Sequence, residues 1–186
     1  MVRWQHWMAA AALGMVASSG TALAQSSQLY GGVSAGTATY FDQGGFEFDY
    51  LGFVLAGQLG MRLTPDLRVE GELSYQSTSA EDDIGIIDVD VDLTVIRPSV
   101  SAYYDLNTVS LGGLTPFVGG GLGLAFIEAD FDSGFGSDDD TELSANLDAG
   151  ANMSLGGNLD LVPMARWELT DDASNIQLRV GARLWF

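Results

Sequence analysis

The chain has 186 residues, no cysteine, no lysine, and 25 acids against seven arginines, a net charge of −18. That balance excludes a nucleic-acid binder, which needs a basic face, and docking on an anionic membrane by charge; the missing cysteines exclude a disulfide framework and thiol chemistry. With 47% hydrophobic residues the chain is also too apolar for an acidic disordered polymer.

Arg3, the apolar run 7–17 and the small-x-small triplet Ala22-Leu23-Ala24 predict a signal peptide over residues 1–24 and a single mature domain over 25–186. The run is too short to span a bilayer, which takes about 20 residues. The single histidine, His6, lies in that leader, so the expected mature chain keeps six arginines, 25 acids and no imidazole. No later segment reads as a membrane helix. The best, residues 111–127, is broken by Pro116 and holds six glycines. A membrane protein without helices must be a closed barrel, because open strand edges cannot sit in lipid.

Two-residue alternation marks eight strands. Strand one covers about 29–40, with Val33, Ala35 and Thr37 on one face and Gly32, Ser34 and Gly36 on the other. An acidic loop with Asp42, Glu47 and Asp49 leads to strand two, about 50–62, with Leu51, Phe53, Leu55, Leu59 and Met61 outward. After the tight turn Thr64-Pro65-Asp66, strand three (67–76) sets Leu67, Val69, Leu73 and Tyr75 against Arg68, Glu70, Glu72, Ser74 and Gln76. A loop over about 77–92 carries six acids. Strand four runs to Asp105 with Ile96, Val100, Ala102 and Tyr104 outward. Just before it Val89, Val91, Leu93 and Val95 alternate on the other parity. Either a bulge near Val95 and Ile96 flips the register, or that portion stands above the membrane with its acids in water.

Strand five (115–127) turns Val118, Leu122, Leu124 and Phe126 outward and Gly119, Gly121 and Gly123 inward. The most acidic loop, about 128–141, precedes strand six (142–153), where Leu143, Ala145, Leu147, Ala149, Ala151 and Met153 oppose Ser144, Asn146, Asp148 and Asn152. Leu155-Gly156-Gly157-Asn158 is a hairpin turn, strand seven covers 159–169, and strand eight closes the chain over 175–186. Pro98 and Pro163 fall inside strands four and seven, where a closed barrel has no free edge for a residue without an N–H; bulges are expected there.

On this register all six later arginines, Arg62, Arg68, Arg97, Arg166, Arg179 and Arg183, share the inward parity with Glu70, Glu72, Asp148, Asp160 and Glu168. An arginine facing lipid at mid-depth would cost about 2–4 kcal/mol, so this face has to be the lumen. Lone buried charges are expensive and an eight-strand barrel is wide enough only for its own side chains. The expectation is a lumen plugged by ion pairs, with the inward glycines of strands one and five leaving room for arginine stems. An arginine-lined ion path is the alternative.

These features together resemble the OmpA/opacity-type eight-stranded outer-membrane barrels, including the glycine-rich strands Tyr30-Gly31-Gly32-Val33 and 116–123 and the closing strand that ends on Phe186. The resemblance implies an all-β, eight-stranded antiparallel transmembrane β-barrel in the bacterial outer membrane. It also implies that Phe186 is part of the C-terminal signal read by the barrel assembly machinery. Barrel enzymes of related size, such as lipid A deacylases and palmitoyltransferases, rely on a catalytic histidine that the expected mature chain lacks, so no enzyme activity and no cofactor are expected. Glu70 and Glu72, among arginines, are expected to be paired rather than to act as an acid/base couple. Asp130, Asp132, Asp138, Asp139 and Asp140 offer oxygen ligands of the kind divalent cations prefer. Gly134 and Thr141 break the EF-hand spacing, so the expectation is a solvated charged loop that keeps the surface soluble, with no dedicated metal site; loose divalent bridging to lipopolysaccharide phosphates is the alternative. Tyr40, Phe41, Phe46, Phe48, Phe131 and Phe135 would lend the loops adhesive character or an interfacial girdle. The reading is a monomeric, non-catalytic surface barrel in outer-membrane lipid and lipopolysaccharide. A narrow cation-preferring porin is the second reading. A soluble lipocalin-like barrel, apolar inside and polar outside, is the third.

Overall fold

The computed structural model describes residues 28–42, 51–84, 87–109, 112–131, 137–171 and 173–186. Residues 1–24, expected as a signal peptide, and Phe46, Phe48, Asp132, Gly134 and Phe135 lie outside the described residues. Eight strands follow one another: β1 (Gln28–Asp42), β2 (Leu51–Arg62), β3 (Leu67–Ile84), β4 (Ile87–Asp105), β5 (Leu114–Phe131), β6 (Ser137–Gly156), β7 (Leu159–Leu169) and β8 (Ala173–Trp185). Each pairs antiparallel with the next, and β8 pairs with β1 to close a barrel. The pairing can be followed from Tyr30 through Gly60, Glu70, Ser101, Gly121, Asn146, Glu168 and Asn175 to Tyr40. The circuit returns to β1 ten residues higher, the stagger that tilts the strands and fixes which side chains meet inside.

Alternation decides which side chains face out. Val33, Leu122 and Leu178 are more than 60% exposed, while Arg68, Arg166 and Arg179 are among the largest fully buried side chains. The barrel is apolar outside and charged inside, the reverse of a lipocalin-like interior.

The acidic stretches at 77–92 and 128–141, expected as loops, are in large part strand. β3 and β4 stay paired up to Ile84 and Ile87, and β4 and β5 up to Val91 and Phe131. The alternation of Val89, Val91 and Leu93 with Asp90 and Asp92 in the sequence suits an extended ladder. Nor does a bulge occur near Val95: the register runs through it unshifted, with Val95 buried beside Arg97 and Ile96 exposed.

The prolines cause no bulge either. Pro98 pairs with Leu73 on β3, the ladder to β5 skips from Ile96↔Phe126 to Ser99↔Gly123, and the register resumes unchanged. Pro163 likewise keeps Val180 on β8 while the β6 ladder skips from Gly150↔Met164 to Met153↔Leu161. In an antiparallel ladder a residue hydrogen-bonds to only one of its two neighbouring strands, so the missing donor interrupts one seam and needs no extra residue. The register shift that does occur lies between Ser154 and Gly156, at the β6–β7 hairpin, where Gly156 and Gly157 take positive φ.

Candidate functional site

The lumen holds the charged side chains in a stack. Midway along it Glu72 of β3 accepts from Arg166 Nη1 of β7 at 2.5 Å and from Arg179 Nη1 and Nη2 of β8 at 3.1 and 3.0 Å. Arg166 also forks onto Asp148, Nε to Oδ1 at 2.8 Å and Nη2 to Oδ2 at 3.0 Å, the bidentate geometry that a guanidinium favours. The Tyr103 hydroxyl and the Asn146 amide donate to the same Oδ2 at 2.8 and 2.9 Å. Ser34 Oγ accepts from Arg179 Nη2 at 2.8 Å.

Towards the long hairpins Arg97 pairs with Glu168, which also accepts from Gln177 and Asn175 at 3.0 and 3.3 Å. The lining beside and beyond that pair is mixed: Ala38, Val54, Ala125 and Val95 are buried, and so are Gln76 and Thr78. Tyr40, expected as a loop residue, is part-buried and donates to Gln76 Oε1 at 2.7 Å.

Towards the short turns the arginines lean on rings as well as acids. The Arg68 guanidinium lies 4.3 Å from the Tyr103 ring and 4.5 Å from Phe117, with Nε 3.1 Å from Asp105 Oδ1. Arg183 stacks over Tyr30, donates to Asn152 at 2.7 Å and approaches Glu70 at 3.6 Å; Tyr30 donates to Glu70 at 2.8 Å. Arg62, partly exposed at the mouth, stacks over Trp185 and sits 3.6 Å from Asp105.

Ten of the eleven charged residues assigned to the lumen therefore meet ion partners there. Asp160 does not: it accepts from the Trp185 indole at 2.7 Å and makes no ion pair among the described residues. Its place beside the turn puts it under the inward-leaning Trp185 rather than among the guanidinium groups. The inward glycines of β5 also serve a different end from the one expected. A Cβ at Gly119 would lie 2.2 Å from the Tyr103 ring, and one at Gly121 2.2 Å from the Ser101 hydroxyl. Their space goes to neighbouring β4 side chains, and through Tyr103 to the stacked Arg68, because side chains lean along the tilted strands onto the next one. Sequence reasoning missed Asp105, Tyr30 and Tyr103. Parity alone carried the signal, since Asp105 and Tyr103 share the face of Arg97.

The described lumen carboxylates are engaged by guanidinium, hydroxyl, amide or indole donors, an arrangement for mutual neutralisation. Neither Glu70 nor Glu72 stands free as a general base. Among the described residues no group of three or more His, Cys, Asp or Glu is set to hold a metal. Of the loop acids, Asp140 is exposed, and the side chains of Asp130, Asp138 and Asp139 lie outside the described residues, as do those of Phe41 and Phe131.

A closed eight-strand barrel with an apolar belt and a charged lumen matches the outer membrane protein beta-barrel domain over residues 8–183. The chain belongs to that family. No match is found among curated proteins. Among solved structures this outer-membrane barrel is similar to Neisserial surface protein A, with 19% identity, a TM-score of 0.69 and coverage of 87% of this chain and 100% of that one. It is similar to a major outer membrane protein from Thermus thermophilus, at 15% identity, TM-score 0.62 and the same coverage. Ail, the attachment invasion locus protein of Yersinia pestis, matches at 16% identity and TM-score 0.57 over 86% of this chain and 97% of that one. At such identities the likeness carries the fold alone; it is the family that places the barrel in the bacterial outer membrane.

Proposed function

We propose that the protein is a non-catalytic surface barrel of the bacterial outer membrane, exported by the signal peptide over 1–24 and anchored as a monomer in lipid and lipopolysaccharide. Its closing strand, with Phe186 75% exposed, serves as the assembly signal. One observation carries the reading: the lumen is filled by ion pairs that cross it, Glu72 between Arg166 and Arg179 above all. A barrel plugged in this way offers its surroundings only what stands outside the lipid, the hairpins with their acids. Hydrated acids keep such a surface soluble and loosely bridge divalent cations to lipopolysaccharide phosphates. Surface display is also in keeping with two proteins of similar structure, a Neisserial surface protein and an attachment invasion locus protein.

Planar-bilayer recording of the refolded barrel tests this against the cation-preferring porin. The expected trace is silent. Discrete cation-selective steps that change on Arg179→Gln or Arg183→Gln would refute the plugged lumen and establish the porin.

A further inference from the structure

The lumen charges balance at two levels and not at the third. Midway, Arg166 and Arg179 meet Glu72 and Asp148, and towards the hairpins Arg97 meets Glu168. Towards the short turns three guanidinium groups share two carboxylates. Asp105 lies 3.1 Å from Arg68 Nε and 3.6 Å from Arg62 Nη2. Glu70 Oε2 lies 3.6 Å from both Arg68 Nη1 and Arg183 Nη2. Asp160 stands opposite Arg183 in the β7–β8 register, but it is held by the Trp185 indole and makes no ion pair among the described residues.

The three arginines close a triangle. Arg62 and Arg68 share Asp105, and Arg68 and Arg183 share Glu70. Arg62 and Arg183 share the Trp185 ring, 4.4 and 5.9 Å from its centre. The contacts at 3.6 Å are longer than hydrogen bonds. Arg68 and Arg183 are almost fully buried, yet Arg68 Nη2, Arg183 Nε and Arg62 Nε have no hydrogen-bond partner among the described residues. Aromatic rings attract a cation without cancelling its charge. One positive charge is therefore in excess where a lone buried charge is expensive.

We propose that the triangle of Arg62, Arg68 and Arg183 binds one small monovalent anion of the chloride kind, held by N–H groups from all three guanidinium groups. The excess of one sets the charge of the ion. Donors from three sides suit a sphere, whereas sulfate would bring a second negative charge and more bulk into a lumen that side chains fill. Arg62, its side chain 32% exposed at the short-turn mouth, is the way in. The site goes beyond the surface-barrel reading and does not depend on whether the lumen conducts.

The test titrates sodium chloride into the full barrel in dodecyl maltoside micelles, with sodium gluconate holding the ionic strength constant. The expected result is an excess chlorine-35 NMR linewidth that bromide competes away. The urea midpoint should rise with chloride, because an ion bound only to the folded state stabilises it. Arg62→Gln removes the excess charge and should weaken chloride binding at least about tenfold, while Arg62→Lys, which keeps the charge, should retain it. Crystals soaked in sodium bromide should show an anomalous peak within hydrogen-bond reach of the three guanidinium groups, a readout that needs no variant to fold. No excess linewidth with a flat midpoint, equal binding by Arg62→Gln, or bromide found only elsewhere would overturn the proposal. An ordered water in that place would assign the free N–H groups to hydration instead. Sulfate displacing chloride at equal concentration would overturn the argument from charge and size.

Discussion

Glu72 is the carboxylate whose loss the barrel should feel most. It is buried and serves two guanidinium groups, Arg166 at 2.5 Å and Arg179 at 3.0 Å. In Glu72→Gln, Arg166 keeps its fork on Asp148, but Arg179 keeps only the Ser34 hydroxyl. One buried cation thus loses its sole anion, and breaking a buried pair from one side costs roughly 3–5 kcal/mol. With a urea slope of about 2 kcal/mol/M the unfolding midpoint should fall by about 2 M. Arg179→Met should cost less than about half as much, because Glu72 retains Arg166 and an apolar side chain fills the space. The double variant should recover most of the loss. The assay is reversible urea unfolding in detergent micelles, followed by fluorescence of Trp167 and Trp185. A loss below about 1 kcal/mol for Glu72→Gln, or equal losses for the two single variants, would refute a dry, mutually neutralised lumen.

Two further substitutions probe the faces of the wall. Leu122→Arg, on a position 62% exposed to lipid, should cost about 2–4 kcal/mol, whereas Leu143→Arg near the end of the belt should cost about 0–1; equal costs in the same unfolding assay would misplace the belt. Gly119→Ala puts a methyl 2.2 Å from the Tyr103 ring and 2.7 Å from the Ala102 carbonyl oxygen. The expected loss is about 1–3 kcal/mol, and an unchanged midpoint would show that Tyr103 can move away freely.

Alternation told the sequence reader which side each arginine takes, because a strand leaves a residue only two choices and lipid forbids one of them. It did not tell which acid each arginine meets. Glu72 finds Arg166 and Arg179, 94 and 107 residues away, only because the circuit climbs ten residues around the barrel, and no local pattern encodes that stagger. Asp105 went unnoticed for a related reason: as the last residue of its strand it read as the edge of a turn, although its parity matched Arg97. The hairpins were misjudged because acid content suggested loop, while the Val89–Val91–Leu93 alternation in the same stretch already described a strand. The prolines misled because a missing donor was weighed without counting how many neighbours a ladder residue serves.

β3 and β7 lie on opposite sides of the ring, and the Glu72–Arg166 contact runs from one to the other. Main-chain ladders hold a tube firmly around its circumference, yet a thin ring can still be squeezed oval at little cost to any single ladder bond. A crossbar through the centre removes that freedom. The ion pairs then act as spokes, and the membrane's lateral pressure meets a rim that keeps its round section as the surrounding lipid thickens, thins or packs more tightly.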